Sequence, residues 1–225
     1  MKLNTWEFRD QFVGHRVYSA TAGSNVGHNW LIDDTSAAGA PTYAGVDGGR
    51  GVAVDMASTA EAENVCLHFG DILAFDIDDI VEAQFRVKMN QAALDATTMF
   101  AIGLTGDRND AIDSIAQAAI FRVVGADSTT ALVVETDDGT TDNNDVATGK
   151  TLINAYKTLT ISFALGKADV RFFVDGEPVA TSTTFDMSAY SGALQPFAQI
   201  QKTSDANTNG FTLQDVLIRG RSYAA

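Results

Sequence analysis

Apolar residues occupy every second position of a stretch in the last third of the chain, at Leu159, Ile161, Phe163 and Leu165. This is the period of a β-strand that buries one face. A second run of the same period covers 170–174, with turn-forming residues between the two runs. The pattern therefore predicts neighbouring antiparallel strands here.

The residues after the second run predict a tight hairpin. Asp175 and Gly176 both tolerate the positive backbone dihedrals that a two-residue turn requires. We expect the return strand over 179–183, with Pro178 near its start, where a missing N–H matters least.

The same reading predicts strands along the rest of the chain. The clearest covers 81–89, where apolar residues alternate with Glu, Gln, Arg and Lys, as in a strand with one solvated face. The other predicted strands cover 2–12, the surroundings of Trp30, 41–44, 51–56, 64–69, 98–104, 119–124, 131–136, 195–202 and 211–219.

Two segments break this pattern. Apolar residues in 107–118 follow helical spacing, which predicts a short helix with Asp110 as its N-cap. The segment 136–149 is polar without alternation, which predicts a loop.

About a dozen short strands without helical crossovers favour an all-β fold. No long Pro/Gly/Ser linker divides the chain. We expect a two-sheet antiparallel β-sandwich of the jelly-roll type that forms one domain over 1–225, with 1–70 supplying N-terminal strands and loops.

Charge and composition narrow the function classes. The chain carries 29 acidic and 15 basic residues, a net charge of −14, so we expect no nucleic-acid partner. No apolar run is long enough to span a membrane, and the N-terminus lacks the apolar region of a signal peptide. The single cysteine, Cys66, excludes an intrachain disulfide, and its apolar neighbours predict a buried, inert thiol.

Three motifs near the C-terminus resemble the concanavalin A-like lectin/glucanase jelly roll, which includes laminin G-like modules. They are a v-x-F-x-v-D-G hairpin, a P-x-x-x-I strand and a closing l-x-x-D-x-v-x-v strand. The matching residues are Val170, Phe172, Val174, Asp175 and Gly176, then Pro196 and Ile200, then Leu213, Asp215, Val216 and Ile218.

The resemblance implies two classes of function. The acidic, Ala/Thr/Gly/Asp-rich chain is similar to tailed-phage virion proteins, which implies a non-enzymatic capsid decoration (head-stabilising) or fibre-associated role. Its partners would be a major capsid protein or another virion protein, and it would form a homotrimer. It would be located in the virion, after assembly in the host cytoplasm. The alternative is a lectin-like module that binds carbohydrate, with or without calcium.

A glycoside hydrolase is the less favoured third class. Glucanases of this superfamily carry E-x-D-x-x-E or E-x-D-x-E on one strand face. Here Asp76 and Asp78 share a face, but Ile80 stands where the third acid belongs. We therefore expect an acidic turn entering a strand, and no enzyme.

Calcium would need six to eight hard oxygen ligands. Such ligands are concentrated in one stretch, and the candidate ligands are Asp137, Asp138, Asp142, Asn144 and Asp145. Because the spacing is not that of an EF-hand and any exposed turn has this composition, a solvated loop is the favoured alternative.

Two aromatic residues are candidates for contact with a partner or a glycan. Phe173 lies on the strand face opposite Phe172, and Tyr190 follows in a polar stretch. Phe173 could instead pack under a loop, which is the slightly favoured alternative. Trp6 and Trp30 are either sugar-stacking platforms or, as favoured, core residues.

Overall fold

Two antiparallel sheets pack face to face in the computed structural model of the protein. It describes residues 3–13, 24–27, 30–46 and 50–223. His15 and His28 lie outside these ranges, and their spacing in the sequence is not that of metal ligands. Strands are numbered below in chain order.

The first sheet has the order β15-β14-β13-β8-β17-β5-β4, and β1 also pairs with β17. Its strands are β1 (Leu3–Asp10), β4 (Thr42–Gly45), β5 (Val52–Asp55), β8 (Ile80–Met89), β13 (Lys157–Ser162), β14 (Arg171–Val174), β15 (Glu177–Val179) and β17 (Gly210–Tyr223).

The second sheet has the order β12-β11-β10-β9-β16-β6-β3-β2, and β7 also pairs with β16. Its strands are β2 (Ser24–Gly27), β3 (Trp30–Asp34), β6 (Glu61–His68), β7 (Phe75–Asp76), β9 (Thr98–Thr105), β10 (Ala118–Val124), β11 (Ala131–Asp137), β12 (Asp142–Thr151) and β16 (Ala193–Asp205).

The inner faces of the two sheets form one continuous hydrophobic cluster. At one end, the ring of Phe172 from the first sheet packs edge-on against Phe121 of the second, with 5.2 Å between centroids. Phe172 also meets Phe185 at 4.9 Å. The alternating pattern thus encodes the inner faces, and the predicted all-β, two-sheet sandwich is confirmed.

The hairpin predicted at Asp175 and Gly176 joins β14 to β15, with positive φ angles of 52° and 83°. The return strand was predicted too long, because β15 ends at Val179 and the next residue, Ala180, has a φ of 53°. Leu165 was wrongly placed on the buried face. Since β13 ends at Ser162, Leu165 lies in the following turn and is 59% exposed.

The first and last described strands close the first sheet. β1 pairs with the second half of β17, while β5 pairs with its first half on the same side. The Trp6 ring lies directly against Gly220, where an added Cβ would come within 2.0 Å of Cζ2. Only glycine leaves room for this packing.

The two segments without alternation differ from their predictions. In 107–118, a single 3-10 turn (Ile112–Ser114) replaces the predicted helix, and its N-cap is Ala111 rather than Asp110. The predicted loop 136–149 contains most of β12, a ten-residue strand. β12 is an edge strand with largely exposed side chains, so it has no buried face to impose alternation.

In the described parts of the chain, no helix has the length and apolar character required to cross a bilayer.

Replacing Phe172 by Ala should lower the free energy of unfolding by about 3–5 kcal/mol, because it removes a fully buried ring between two aromatic neighbours. Urea unfolding measures the change. The matched control Leu165→Ala lies in the exposed turn and should change stability by less than about 0.5 kcal/mol. Equal effects of the two variants would contradict this packing.

Candidate functional site

The chain leaves the edge of the first sheet just after β15. Ala180 turns it away with its positive φ, and the N–H of Thr183 donates to the carbonyl of Ala180 at 3.2 Å. The chain returns at Phe185, whose carbonyl accepts the N–H of Val170 at 2.9 Å. Residues 181–184 therefore bulge outward from β14 instead of continuing the sheet.

This bulge opens a pocket of about 430 Å³. Its floor is the end of the core, where Val170, Phe172, Val179 and Phe185 are buried. The more exposed lining residues are Asp169, Arg171, Phe173, Pro178, Ala180, Thr181, Thr183 and Thr184. The pocket thus combines an apolar floor with a polar rim.

Phe173 is the sequence-predicted contact residue that the structure places in this pocket. It lies on the outer face of the first sheet, opposite its buried neighbours Phe172 and Val174, and is half-buried. It pairs in register with Thr160 on one side and Pro178 on the other.

Tyr190, the second predicted contact residue, does not join it. Its hydroxyl donates to the carbonyl of Ala193 at 2.6 Å, and its ring packs against the core. The Tyr190 carbonyl accepts a bond from the Lys167 ammonium at 2.8 Å. Tyr190 thus holds its own loop in place.

Asp169 and Arg171 form a charged pair at the rim. The guanidinium Nε and Nη2 donate to the two carboxylate oxygens at 3.2 and 2.9 Å. These hydrogen bonds from Arg171 lower the pKa of the Asp169 carboxyl from its ordinary value of 3.8. The Arg171 side chain is 56% exposed, so the pair retains donors and acceptors for a ligand.

The rim offers hydrogen-bonding groups and an aromatic ring. Thr181, Thr183 and Thr184 supply hydroxyls that both donate and accept. Asp169 is the one carboxylate among the lining residues that the structure describes. A pair of carboxylates flanking a scissile bond, as in most glycosidases, is not formed there.

The outer face of the first sheet continues from the pocket across several strands. One row of side chains crosses it in register: Arg9, Leu217, Gln84, Thr160, Phe173 and Pro178. A smaller pocket of about 210 Å³ lies along this row and is lined by Arg9, Gln84, Arg86, Thr158, Asp215 and Leu217.

Most charges on the β1 and β17 side of this face neutralise one another. Arg9 pairs with Asp215 at 2.6 Å. Arg219 bonds Glu7 at 2.9 Å and Glu82 at 2.7 Å. A third pocket, of about 470 Å³, lies beside these residues and includes Trp6 in its lining.

The outer face of the second sheet is covered by the protein's own chain. Ile112 and Ile115 of the β9–β10 connection join a second apolar cluster on that face, with Cys66, Ala101 and Phe197. Burial raises the pKa of the Cys66 thiol. The prediction of a buried cysteine is confirmed, and its thiolate is disfavoured.

Arg122 holds the β9–β10 connection against the second sheet. It is buried and bonds Glu135 of β11 and Asp113 of the covering segment, with Asp145 of β12 at 3.6 Å. Three carboxylates therefore surround one guanidinium, and the acids on this face are used to hold the structure together.

The acidic stretch 137–145 forms the β11–β12 hairpin. Asp138 is buried, and its oxygens accept backbone N–H groups of Thr140, Thr141 and Ala189 at 2.6–3.0 Å. Asp137 accepts the N–H of Gly139.

The remaining candidate ligands of this hairpin point elsewhere. Asp142 bonds Asn144, and Asp145 approaches Arg122. The five candidates do not converge, and no group of three or more His, Cys, Asp or Glu side chains within the described ranges is placed to hold a metal. In this structure these carboxylates stabilise turns and approach Arg122, and a calcium-binding role for them stays a prediction.

Of the acids in the glucanase-like motif, Asp76 ends β7 and Asp78 lies in the turn between β7 and β8. Asp76 Oδ1 accepts the N–H of Asp78 at 3.0 Å, and Asp78 pairs with Lys167 at 3.0 Å. Ile80 is buried at the start of β8. The prediction of an acidic turn entering a strand is confirmed.

Trp30 is a core residue, whereas Trp6 is half-buried, packs against the core and lines the surface pocket beside Arg219. Trp30 is fully buried and packs edge-on against Phe69, while Trp6 stacks on Phe75 with 5.5 Å between centroids. His68 is buried, and its Nδ1 accepts the N–H of Gly70 at 3.1 Å.

Sequence reasoning found Phe173 and missed the rest of the pocket. Because a strand was predicted over 179–183, the bulge that carries the threonines was not foreseen. One signal was present: Asp169 and Arg171 are two residues apart and so share a face beside Phe173.

Comparison with known proteins gives a result at the level of the fold. No protein-family model matches the sequence, and the search of curated proteins found no significant match. The carbohydrate recognition domain of Emp47p is 12% identical with a TM-score of 0.59, covering 87% of this chain and 90% of that one. A protein of unknown function from Shewanella oneidensis MR-1 is 11% identical with a TM-score of 0.57, covering 98% and 90%.

A GH16 protein from the mixed linkage glucan PUL of Bacteroides ovatus, in complex with its product, is 8% identical with a TM-score of 0.59. The match covers 94% of this chain and 99% of that one. At such identities the likeness concerns the backbone. The chain therefore has the concanavalin A-like jelly-roll fold that its C-terminal motifs predict.

Proposed function

We propose that this protein is a non-catalytic carbohydrate-binding module whose site is the pocket at the β14–β15 edge. The observation that carries the proposal is the composition of that pocket, which sets Phe173 beside the Asp169–Arg171 pair and three threonine hydroxyls. The structural likeness to a carbohydrate recognition domain supports the same class.

A sugar ring matches this arrangement in shape and polarity. Its C–H face is apolar and packs on an aromatic ring, while its edge carries hydroxyls. The paired carboxylate and guanidinium of Asp169 and Arg171 offer acceptors and donors to adjacent hydroxyls. At about 430 Å³, the pocket is within the range of small-ligand sites.

The ionisation of Asp169 is consistent with binding without catalysis. A general acid needs a pKa near the working pH, whereas Arg171 lowers the pKa of Asp169 and so moves it away from neutral pH. Asp169 therefore acts as an ionised hydrogen-bond acceptor.

A virion structural role is the second candidate, and it is compatible with the first because a virion protein can carry a glycan-binding site. It is supported by the outer face of the first sheet near β1 and β17. There, Arg9 with Asp215 and Arg219 with Glu82 are already paired. Because these charges are already paired, burying them against a shell subunit would cost less than burying unpaired charges.

Replacing Phe173 by Ala should weaken glycan binding at least about tenfold, because the stacking surface is lost. Calorimetric titration with a glycan selected on an array measures this, with and without a chelator. Ile72→Ala, an exposed apolar residue outside the pocket, should leave affinity unchanged. Binding that survives Phe173→Ala would place the site elsewhere, and the absence of any glycan ligand would exclude the proposal.

The affinity should be constant from neutral pH down to near 3.8, the ordinary pKa of Asp169, since Arg171 lowers that pKa further. The depressed value means that the ionised acceptor is present above it and is lost only as pH falls through it. Titrations over this range test the point. A decline beginning well above that pH would show that Asp169 is not the acceptor.

If the virion role holds, purified protein should co-sediment with particles and bury about 800 Å² on each partner. Arg219→Glu would set three carboxylates together on the docking face and should reduce the bound fraction. Lys150→Glu, on the second sheet, is the control. A monomer that never co-sediments would exclude this role.

A further inference from the structure

Two cations on the outer face of the first sheet share one aromatic ring. The Arg86 guanidinium lies 5.1 Å from the ring centroid of Tyr156, and the Lys88 ammonium lies 5.4 Å from it. Arg86 and Lys88 are two apart in β8, so their side chains leave the same face of the sheet.

Neither cation has an ion-pair partner among the described residues. Arg86 faces Asp215 across β17, but Arg9 and Gln11 already bond that carboxylate at 2.6 and 3.0 Å. The bond that Arg86 itself makes is to the neutral amide of Gln214, at 2.5 Å.

Asp175, in the β14–β15 turn, also faces Arg86. Its two carboxylate oxygens are bonded to other groups. They accept the Lys157 ammonium at 2.8 Å and the N–H of Thr158 at 2.9 Å. Two like charges thus stand together while the carboxylates around them are bonded to other groups. A bound anion would relieve their repulsion.

This pair of cations lies within reach of the Phe173 pocket. In register, Phe173 pairs with Thr160, which pairs with Gln84 on its other side, and Thr158 pairs with Arg86. With strands about 4.8 Å apart and about 3.4 Å per residue, the Cα atoms of Phe173 and Arg86 are about 12 Å apart. The small pocket lined by Gln84, Arg86 and Thr158 adjoins Arg86, and its other lining residues, Arg9, Asp215 and Leu217, lie on the side of β8 away from Phe173.

We infer that the glycan bound by this protein is anionic, with its carboxylate or sulfate held by Arg86 and Lys88 while a neighbouring sugar ring occupies the Phe173 pocket. This inference rests on the proposed function and names its ligand class. Overall charge does not oppose it. Although the chain carries a net −14, charges beyond about 8 Å are largely screened at physiological ionic strength.

Calorimetric titration with three trisaccharides of one linkage tests the inference: galactotriose, trigalacturonate and a sulfated galactotriose. Either anionic sugar should bind at least about tenfold more tightly than the neutral one, because two charge-assisted contacts are added. Which anionic sugar binds more tightly identifies the group. Arg86→Gln and Lys88→Gln should each reduce the preference.

The matched control is Arg50→Gln, which makes the same charge change at an exposed position between β4 and β5 and should leave the preference intact. Equal affinities for all three sugars, with binding still dependent on Phe173, would overturn the inference and leave the proposed function standing. No binding of any sugar would overturn both. A poly-glutamate peptide that competes as well as trigalacturonate would also overturn it, by showing recognition of an acidic protein.

Discussion

The burial of two apolar sheet faces against each other is the constraint on which this molecule depends. One side of nearly every inner strand is removed from water, and the rings of Phe121, Phe172 and Phe185 fill one end of the resulting layer. Without a disulfide, which a single cysteine cannot form, this packing supplies the stabilisation. It also fixes which residues point outward, and so decides what the outer faces can bind.

The candidate site lies where that core reaches the edge of the first sheet. The chain departs at Ala180 with a positive φ, an unfavourable conformation for a residue with a side chain. The surrounding structure holds it there, because Phe185 is buried and its backbone bonds Val170. The same core aromatic thus stabilises the fold and defines one wall of the pocket.

The two outer faces differ because their charges are used differently. On the second sheet, Arg122 and three carboxylates hold the β9–β10 connection against the strands. In the acidic β11–β12 hairpin, carboxylate oxygens accept backbone N–H groups. On the first sheet, the pairs near β1 and β17 are satisfied, whereas Arg86 and Lys88 share only an aromatic ring. A strongly acidic chain therefore presents, near the pocket, two cations that have no ion-pair partner among the described residues.

The amino-acid pattern alone was enough to predict the class of fold, the inner face of most strands, the Asp175-Gly176 turn and the outward direction of Phe173, since alternation reports burial at each successive residue. The same pattern failed for β12, because an exposed edge strand has no buried face to impose alternation. It also predicted a return strand that runs through the bulge, whereas β15 ends before it. The tertiary structure was needed to show that Val170 pairs with Phe185, that three threonines line the same pocket as Phe173, and that Arg86 and Lys88 meet Tyr156. These contacts join different segments of the chain, and they follow from strand register, which a single alternating pattern does not specify.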